Sequence, residues 1–202
     1  MRTSVKFTAL FLVACVFVLY ESVPAQQNLK SYSQTRKLLR GMETQPANGK
    51  LKWLFTNADE ILPDLILALD DPEPKVNLNA QRILLYLATK ESLKALDDWK
   101  HELRKAGKGF SSPVLQLLPK PLILSGESSD PLRIANRNKQ VFKASSFNEG
   151  DVTFRLVAFN KKTKTALLQI VQGQVFTEGW HSVIRREGTV WYLISDNNIW
   201  VS

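Results

Sequence analysis

The stretch from Val152 to Val201 most constrains the fold, because its apolar residues occur in short runs separated by turn residues. These runs are rich in β-branched and aromatic side chains: Val152–Asn160, Thr165–Val171, Trp180–Arg186 and Thr189–Ser195. Turn-forming residues lie between or beside them: Lys161–Lys164, Gly173, Gly179 and Gly188. Short runs of this composition, punctuated in this way, are typical of an antiparallel meander. We therefore predict about four antiparallel β-strands in the C-terminal part of the chain.

The residues before this stretch have helical spacing instead. Apolar side chains recur at i, i+3, i+4 and i+7 in one stripe: Leu62, Leu65, Ile66 and Leu69. Pro63 restricts the start of that helix to its own first turn or produces a kink, and Asn57 or Asp59 is a candidate cap. A helix before this one covers Leu29–Glu43. Together with the predicted strands, these helices make the chain α+β.

Two more helices follow the turn Asp70–Pro74. The first has one apolar face: Val76, Ala80, Ile83, Leu84 and Leu87. The second starts at Thr89 or Ser92, ends near Gly107, and aligns another apolar set: Leu93, Leu96, Trp99 and Leu103. Ile61–Leu69, the Asp/Pro turn and the valine-led Val76–Ala88 resemble one HEAT repeat, and the similarity extends over about residues 61–103. The resemblance implies paired helices that act as a docking surface. Stacked repeats need about three units for stability. Residues 61–103 supply fewer than that, so we expect these helices to pack against the sheet.

The chain divides into four predicted regions: a signal peptide at 1–25, a HEAT-like helical region at 26–108, a Pro/Ser-rich connection at 109–131, and an antiparallel β domain at 132–202. The connection has many apolar residues, so we expect it to pack along a surface. Leu132–Lys143 is predicted as a short helix or a strand. The end of the β domain is similar to the closing strands of the nuclear-transport-factor-two-like fold, over about residues 141–201. The motifs that carry the likeness are Gly179-Trp180, Arg185-Arg-Glu-Gly188 and Trp191–Ile194. That resemblance implies a curved sheet around a cone-shaped pocket.

The first 25 residues have the layout of a secretory signal peptide. Arg2 and Lys6 precede the apolar run Phe7–Tyr20, and Val23-Pro-Ala25 places small side chains before a cut after Ala25. The run is shorter than the roughly 20 apolar residues that a membrane anchor needs, so we predict a mature chain without a transmembrane helix. It would be secreted or periplasmic. An alternative is a lipoprotein anchored through Cys15, because Leu12–Cys15 resembles the bacterial lipobox.

Cleavage after Ala25 would remove Cys15, the single cysteine, and with it any disulfide, thiolate nucleophile or cysteine-ligated metal. It would leave 25 basic and 18 acidic residues, a formal charge of +7. Anionic partners such as an envelope polymer fit that charge, although the charges are dispersed. The local basic stretch Arg133–Lys143 contains only Phe142 as an aromatic residue, which is thin for nucleic-acid recognition.

Motifs that carry chemistry are missing from the sequence. His101-Glu102 begins like a zinc-protease helix motif, but Lys105 occupies the position of the second histidine ligand. Phosphate-binding glycine loops and nucleophile elbows do not occur. The acidic pairs Asp70/Asp71, Asp97/Asp98 and Glu149/Asp151 lack the opposed geometry of a glycosidase. We therefore predict no catalytic residues, no metal site and no cofactor.

The candidate ligand-binding residues lie in the last strands: Trp180, His181, Arg185 and Trp191. Alternation should direct Trp180, Ser182 and Ile184 to one face and His181, Val183 and Arg185 to the other. His181 and Arg185 on a concave face, beside an aromatic ring, would bind an anionic small molecule. We favour a different interpretation, in which the two tryptophans are core residues and His181 and Arg185 are solvated, as in a half-exposed sheet.

These patterns lead to two functional hypotheses. The first is an exported, non-enzymatic binding protein of a bacterial envelope or exterior, whose partner is a protein or an anionic envelope polymer. The alternative is a ligand carrier, or an isomerase-like or hydrolase-like enzyme, with a pocket in a cone-shaped sheet. His181 or Asp151 would then be the acid/base group. Filling of the concave side of that sheet by Phe154, Leu156, Trp191 and the helices would exclude the alternative.

The signal-peptide prediction is tested by expressing the full chain in a bacterium and measuring the mass of the exported product. We expect a product that begins at Gln26. Ala25→Trp should block the cut, because the residue before the cut must be small, whereas Gln27→Trp should not. A product that begins with a lipidated Cys15 would contradict this prediction and support the lipoprotein.

Overall fold

The computed structural model describes residues 31–43, 47–109, 117–142, 152–172 and 178–201, and for residues 171, 172, 178–180 and 197–201 it describes the backbone. The predicted signal peptide and the candidate Asp151 lie outside these residues. The first described helix, α1, is helical at residues 31–40. The later helices are α2 (Gly49–Thr56), α3 (Leu62–Leu67), α4 (Pro74–Leu87), α5 (Lys90–Lys105) and α6 (Pro131–Arg137). The strands are β1 (Leu117–Leu124), β2 (Val152–Asn160), β3 (Thr165–Gln172), β4 (Glu178–Glu187) and β5 (Val190–Val201).

Local signals account for the helix boundaries. The Asn48 side chain accepts hydrogen bonds from the N–H groups of Lys50 and Leu51 and caps α2. Pro63 lies in the first turn of α3, as predicted, because proline lacks only an N–H that is unpaired there anyway. Asn57 and Asp59 do not cap α3, so that prediction is wrong: its N-terminal cap is Ile61, without a side-chain bond.

The helix pair α4 and α5 meets at a tight corner. Ala88 ends α4 in the left-handed region, with φ of 48°. Thr89 then begins α5 with a capping box, in which its hydroxyl accepts from Ser92 N–H at 3.1 Å while Ser92 Oγ accepts from Thr89 N–H at 3.0 Å. Two residues, Ala88 and Thr89, thus separate the two helices, so the end of α4 determines where α5 begins.

A polar seam joins α1 to the first turn of α3 and to the turn before α4. Arg36 donates to both Asp71 carboxylate oxygens, at 2.5 and 3.1 Å, and the Tyr32 hydroxyl donates to Asp71 at 2.7 Å. Burial acts to raise the pKa of Asp71, but the bonds from Arg36 and Tyr32 outweigh it and lower this pKa to about 2. Asp64, also buried, accepts from Ser31 and Thr35. The seam therefore satisfies two buried carboxylates.

The described strands form one five-stranded antiparallel sheet in the order β1-β5-β4-β3-β2. The α+β class is confirmed, with five strands rather than about four. The additional strand, β1, lies within the segment interpreted as a connection. Pro119 and Pro121 obscure it, because proline is compatible with a strand only at an edge or irregularity. β1 is an edge strand whose pairing with β5 shifts between Leu117 and Leu122.

Both faces of the sheet are covered across its centre, which corrects the half-exposed sheet that we favoured. The helices α1 to α5 and one face of the sheet share a core, to which the sheet contributes Ala158, Leu167, Val183 and Ile194. On the opposite face α6 and Phe142 cover a second core, to which the strands contribute Phe154, Leu168, Ile170, Ile184, Trp191 and Leu193. The sheet is thus the middle layer of the fold.

A row of polar residues on the helix-covered face connects the two layers. Asn160, Thr165 and Arg185 pair across β2, β3 and β4. The Asn160 side chain donates to the carbonyls of Phe55 and Thr56, both at 3.2 Å, at the end of α2. Arg185 Nη2 donates to the carbonyls of Leu87 and Ala88, at 2.6 and 2.7 Å, at the end of α4. The sheet thereby donates hydrogen bonds to carbonyls at the ends of two helices, where backbone partners are scarce.

Asn160→Ala should destabilise the protein by about 2 to 3 kcal/mol in urea unfolding, because it removes the hydrogen bonds that this fully buried side chain donates to the carbonyls of Phe55 and Thr56 and to Asp59. Lys162→Ala is the matched control in the adjacent turn, since the Lys162 side chain is exposed and only its charged end contacts Asp59, at 3.2 Å. Its cost should stay below about 1 kcal/mol. Equal losses of stability in the two variants would contradict the role of Asn160 in joining β2 to the end of α2.

Candidate functional site

An open groove of about 540 Å³ runs along the surface between α3 and α5. The side of α5 that lines it is one stripe: Ala95, Asp98, Trp99, Glu102, Leu103 and Ala106. The opposite side is formed by Ile66, Leu69 and Asp70, and Lys108 lies at one end. The stripe follows from the spacing of i, i+3, i+4, i+7, i+8 and i+11, which places all six residues on one helical face.

The groove exists because only part of the apolar surface of α5 is buried in the core. Leu96 is buried beneath α5, whereas Leu93, Trp99 and Leu103 are only half-buried. On the facing wall Ile66 remains 39% exposed. The apolar set that the sequence aligns along α5 is therefore divided between the core and an open surface.

Trp99 connects the two walls. Its indole Nε1 donates to Asp70 Oδ1 at 3.0 Å, and Asp70 ends the 3-10 turn Ala68–Asp70 that follows α3. The bond orients the indole ring along the wall of the groove. A half-buried tryptophan held in this way offers a large apolar contact that loses little side-chain entropy on binding.

The rim of the groove is mostly acidic. Asp70, Asp98 and Glu102 contribute three carboxylates, against one ammonium group at Lys108. Lys94 pairs with Asp98, and Lys105 pairs with Glu102 at 2.8 Å. The hydrogen bond from Lys105 lowers the pKa of Glu102. These ion pairs lie along exposed α5, where solvent screens them.

His181 lies far from the solvated position that we favoured, and that prediction is wrong. Its side chain has no solvent exposure and faces the helices beside Val183. Its Nδ1 forms a 2.6 Å hydrogen bond with the hydroxyl of Tyr86 on α4, and its Nε2 has no partner among the described residues. Burial, followed by the nearby positive charge of Arg82, lowers the pKa of His181 to about 3. His181 is therefore neutral in the folded protein.

The other sequence candidates do not converge with His181. Arg185 is half-buried on the same face, where burial lowers its pKa and its guanidinium holds the end of α4. Trp191 is fully buried on the opposite face, as predicted for a core residue, and its Nε1 donates to the Ser128 carbonyl at 2.8 Å. The Trp180 side chain lies outside the described residues. Arg185 therefore joins the sheet to the end of α4 and does not form a ligand site with His181.

A buried pair that the sequence analysis did not identify lies on the opposite face. Ser182 Oγ donates to Asp196 Oδ1 at 2.5 Å, and both side chains are almost completely buried. Only the register of β4 against β5, which pairs these residues, could have revealed the contact. Adjacent strand residues point to opposite faces, so His181 is directed away from this serine.

Comparison of the chain with protein-family models, with characterised proteins and with solved structures finds no match. The HEAT-like and nuclear-transport-factor-two-like resemblances therefore stay predictions. Among the described residues, no helix combines the length and apolar character needed to cross a membrane. Within the same residues, no group of three or more histidine, cysteine or acidic side chains has a metal-binding arrangement.

The buried His181 predicts a specific acid sensitivity. Its pKa is about 3 in the folded protein and about 6.5 when unfolded. The unfolded chain thus binds the extra proton between these values, and stability falls by up to about 1.4 kcal/mol per pH unit as the pH decreases through this range. In urea unfolding at pH 7, 5.5 and 4.5, His181→Gln should reduce the decrease relative to the native protein.

His101→Gln is the matched control, because His101 is the other histidine and is exposed on α5. It reports how far replacing an exposed histidine with glutamine alters stability, and the effect at His181 is compared with it. A His181→Gln protein with the same decrease as the native protein would show that His181 does not titrate in this way.

Proposed function

We propose that this protein is an exported, non-enzymatic binding protein of a bacterial envelope or exterior, which docks a partner protein through the groove between α3 and α5. The observation that carries the proposal is the groove itself. It presents Trp99, Leu103 and the 39% exposed Ile66 on a rigid pair of helices. Open apolar grooves between helices suit the binding of a peptide or helix from another protein.

Export is supported by the signal-peptide pattern of residues 1–25, with its basic start, apolar run and small residues before Ala25. The three carboxylates along the groove favour a protein partner over an anionic polymer at this surface. The alternative, a pocket beside His181, has no observation among the described residues in its favour, because His181 is enclosed against Tyr86.

The structure offers a matched pair of variants for testing the proposal. Ile66 lines the groove, whereas the adjacent Leu67 is 55% exposed and does not. Captures from bacterial envelope extracts with the mature chain, at low and moderate salt, should recover a protein that is lost with Ile66→Gln and kept with Leu67→Gln. Both substitutions lie on the surface, so melting temperatures should agree within a few degrees. Equal recovery by both variants, or no recovery at either salt, would contradict the proposal.

A further inference from the structure

The groove has the dimensions and spacing of a site for another α-helix. The lining residues of α5 extend from Ala95 to Ala106, about 16 Å at 1.5 Å per residue, or three turns. Alanines at both ends leave room for a close approach, and Trp99 and Leu103 form the apolar centre. Helices that pack side by side interdigitate through such i, i+3 and i+4 rows.

The facing wall is too short to complete this packing. α3 spans six residues and continues only through the 3-10 turn Ala68–Asp70, whereas α5 spans 16. Part of the apolar stripe of α5 therefore lacks a facing helix among the described residues. A helix placed there would contact Ile66 on one side and Leu103 on the other.

We infer that the occupant of this groove is a basic amphipathic helix, of at least three turns, in a partner protein. The inference rests on the proposed function and specifies its partner. Three carboxylates (Asp70, Asp98 and Glu102) face a single ammonium group (Lys108) along the groove. Lysine or arginine side chains beside an apolar stripe complement the groove in charge and shape.

The ion pairs of the rim do not prevent this complementarity. Lys94 and Lys105 bond to Asp98 and Glu102 within α5 itself, and both pairs are exposed to solvent. Exposed pairs of this kind contribute little free energy. Basic side chains of the partner can therefore replace these lysines at low cost, and the lysines can rotate into solvent.

Fluorescence anisotropy with labelled synthetic peptides tests the inference on the mature chain. The probe is an amphipathic Leu/Lys helix of about 18 residues, long enough to form helix. The controls are an amphipathic Leu/Glu helix and a Leu/Lys peptide of the same composition with its order scrambled. We expect the amphipathic Leu/Lys helix to bind at least about tenfold more tightly than either control.

Charge-neutral variants then locate the interaction. The triple variant Asp70→Asn, Asp98→Asn, Glu102→Gln should weaken binding of the Leu/Lys helix by about tenfold or more. Asp97→Asn with Glu91→Gln is the matched control, because both residues are exposed acids of α5 outside the groove. It should bind as the native protein does. Circular dichroism melts establish that all variants are folded.

Failure of this inference can be distinguished from failure of the proposed function. Equal binding of the amphipathic and scrambled peptides, unchanged binding by the triple variant, or no binding of any peptide would overturn the basic helix as occupant. The proposed function would survive any of these results if Ile66→Gln still abolished capture of an envelope protein. Tighter binding of the Leu/Glu helix would overturn the basic charge that we assign to the partner helix, but it would still support a helical partner.

Discussion

The hydrogen bonds from Arg185 to the carbonyls of Leu87 and Ala88 connect the sheet to the corner between α4 and α5. They hold the end of α4 against β4, and a cation at a helix C-terminus also interacts favourably with the helix dipole. Ala88 turns the chain, and Thr89 starts α5 immediately afterwards. The direction of α5, and with it the stripe that lines the groove, therefore depends on a contact made by the sheet. Asn160 has the same role for α2.

This arrangement gives the sheet and the helical layer formed by α1 to α5 different roles. The sheet is covered on both faces, so its strands act as a support whose polar residues bind helix ends. The helical layer in turn leaves one stripe of α5 uncovered. His181 is one of the buried side chains of the sheet. It packs against Tyr86, and it remains neutral because burial lowers its pKa. His181 is buried because the helices pack on the sheet at this position. The open apolar surface of the protein is the groove between α3 and α5, on the helices alone.

Much of the fold follows from local patterns that the sequence displays directly. The stripe Val76, Ala80, Ile83, Leu84 and Leu87 is buried as predicted, because residues three and four apart must share a helical face. The alternation along β4 is also confirmed for the described side chains: Val183 faces the helices and Ile184 the opposite core. β1 was missed since Pro119 and Pro121 interrupt it, and only its edge position makes them tolerable. The burial of His181 was missed because periodicity indicates which face a residue occupies but not what covers that face.

The sequence by itself determined helices α1, α3, α4 and α5, four of the strands, the α+β class and the division of side chains between faces, since each depends on residues close together along the chain. It did not predict α2, and it left open whether the segment that contains α6 is a helix or a strand. It also predicted an apolar stripe on α5 that includes Trp99 and Leu103. Only the tertiary structure decided that half of this stripe stays open, that Arg185 binds a helix end, and that His181 is enclosed. These outcomes depend on contacts between residues up to about a hundred positions apart, whose geometry is established only when the helices pack onto the sheet.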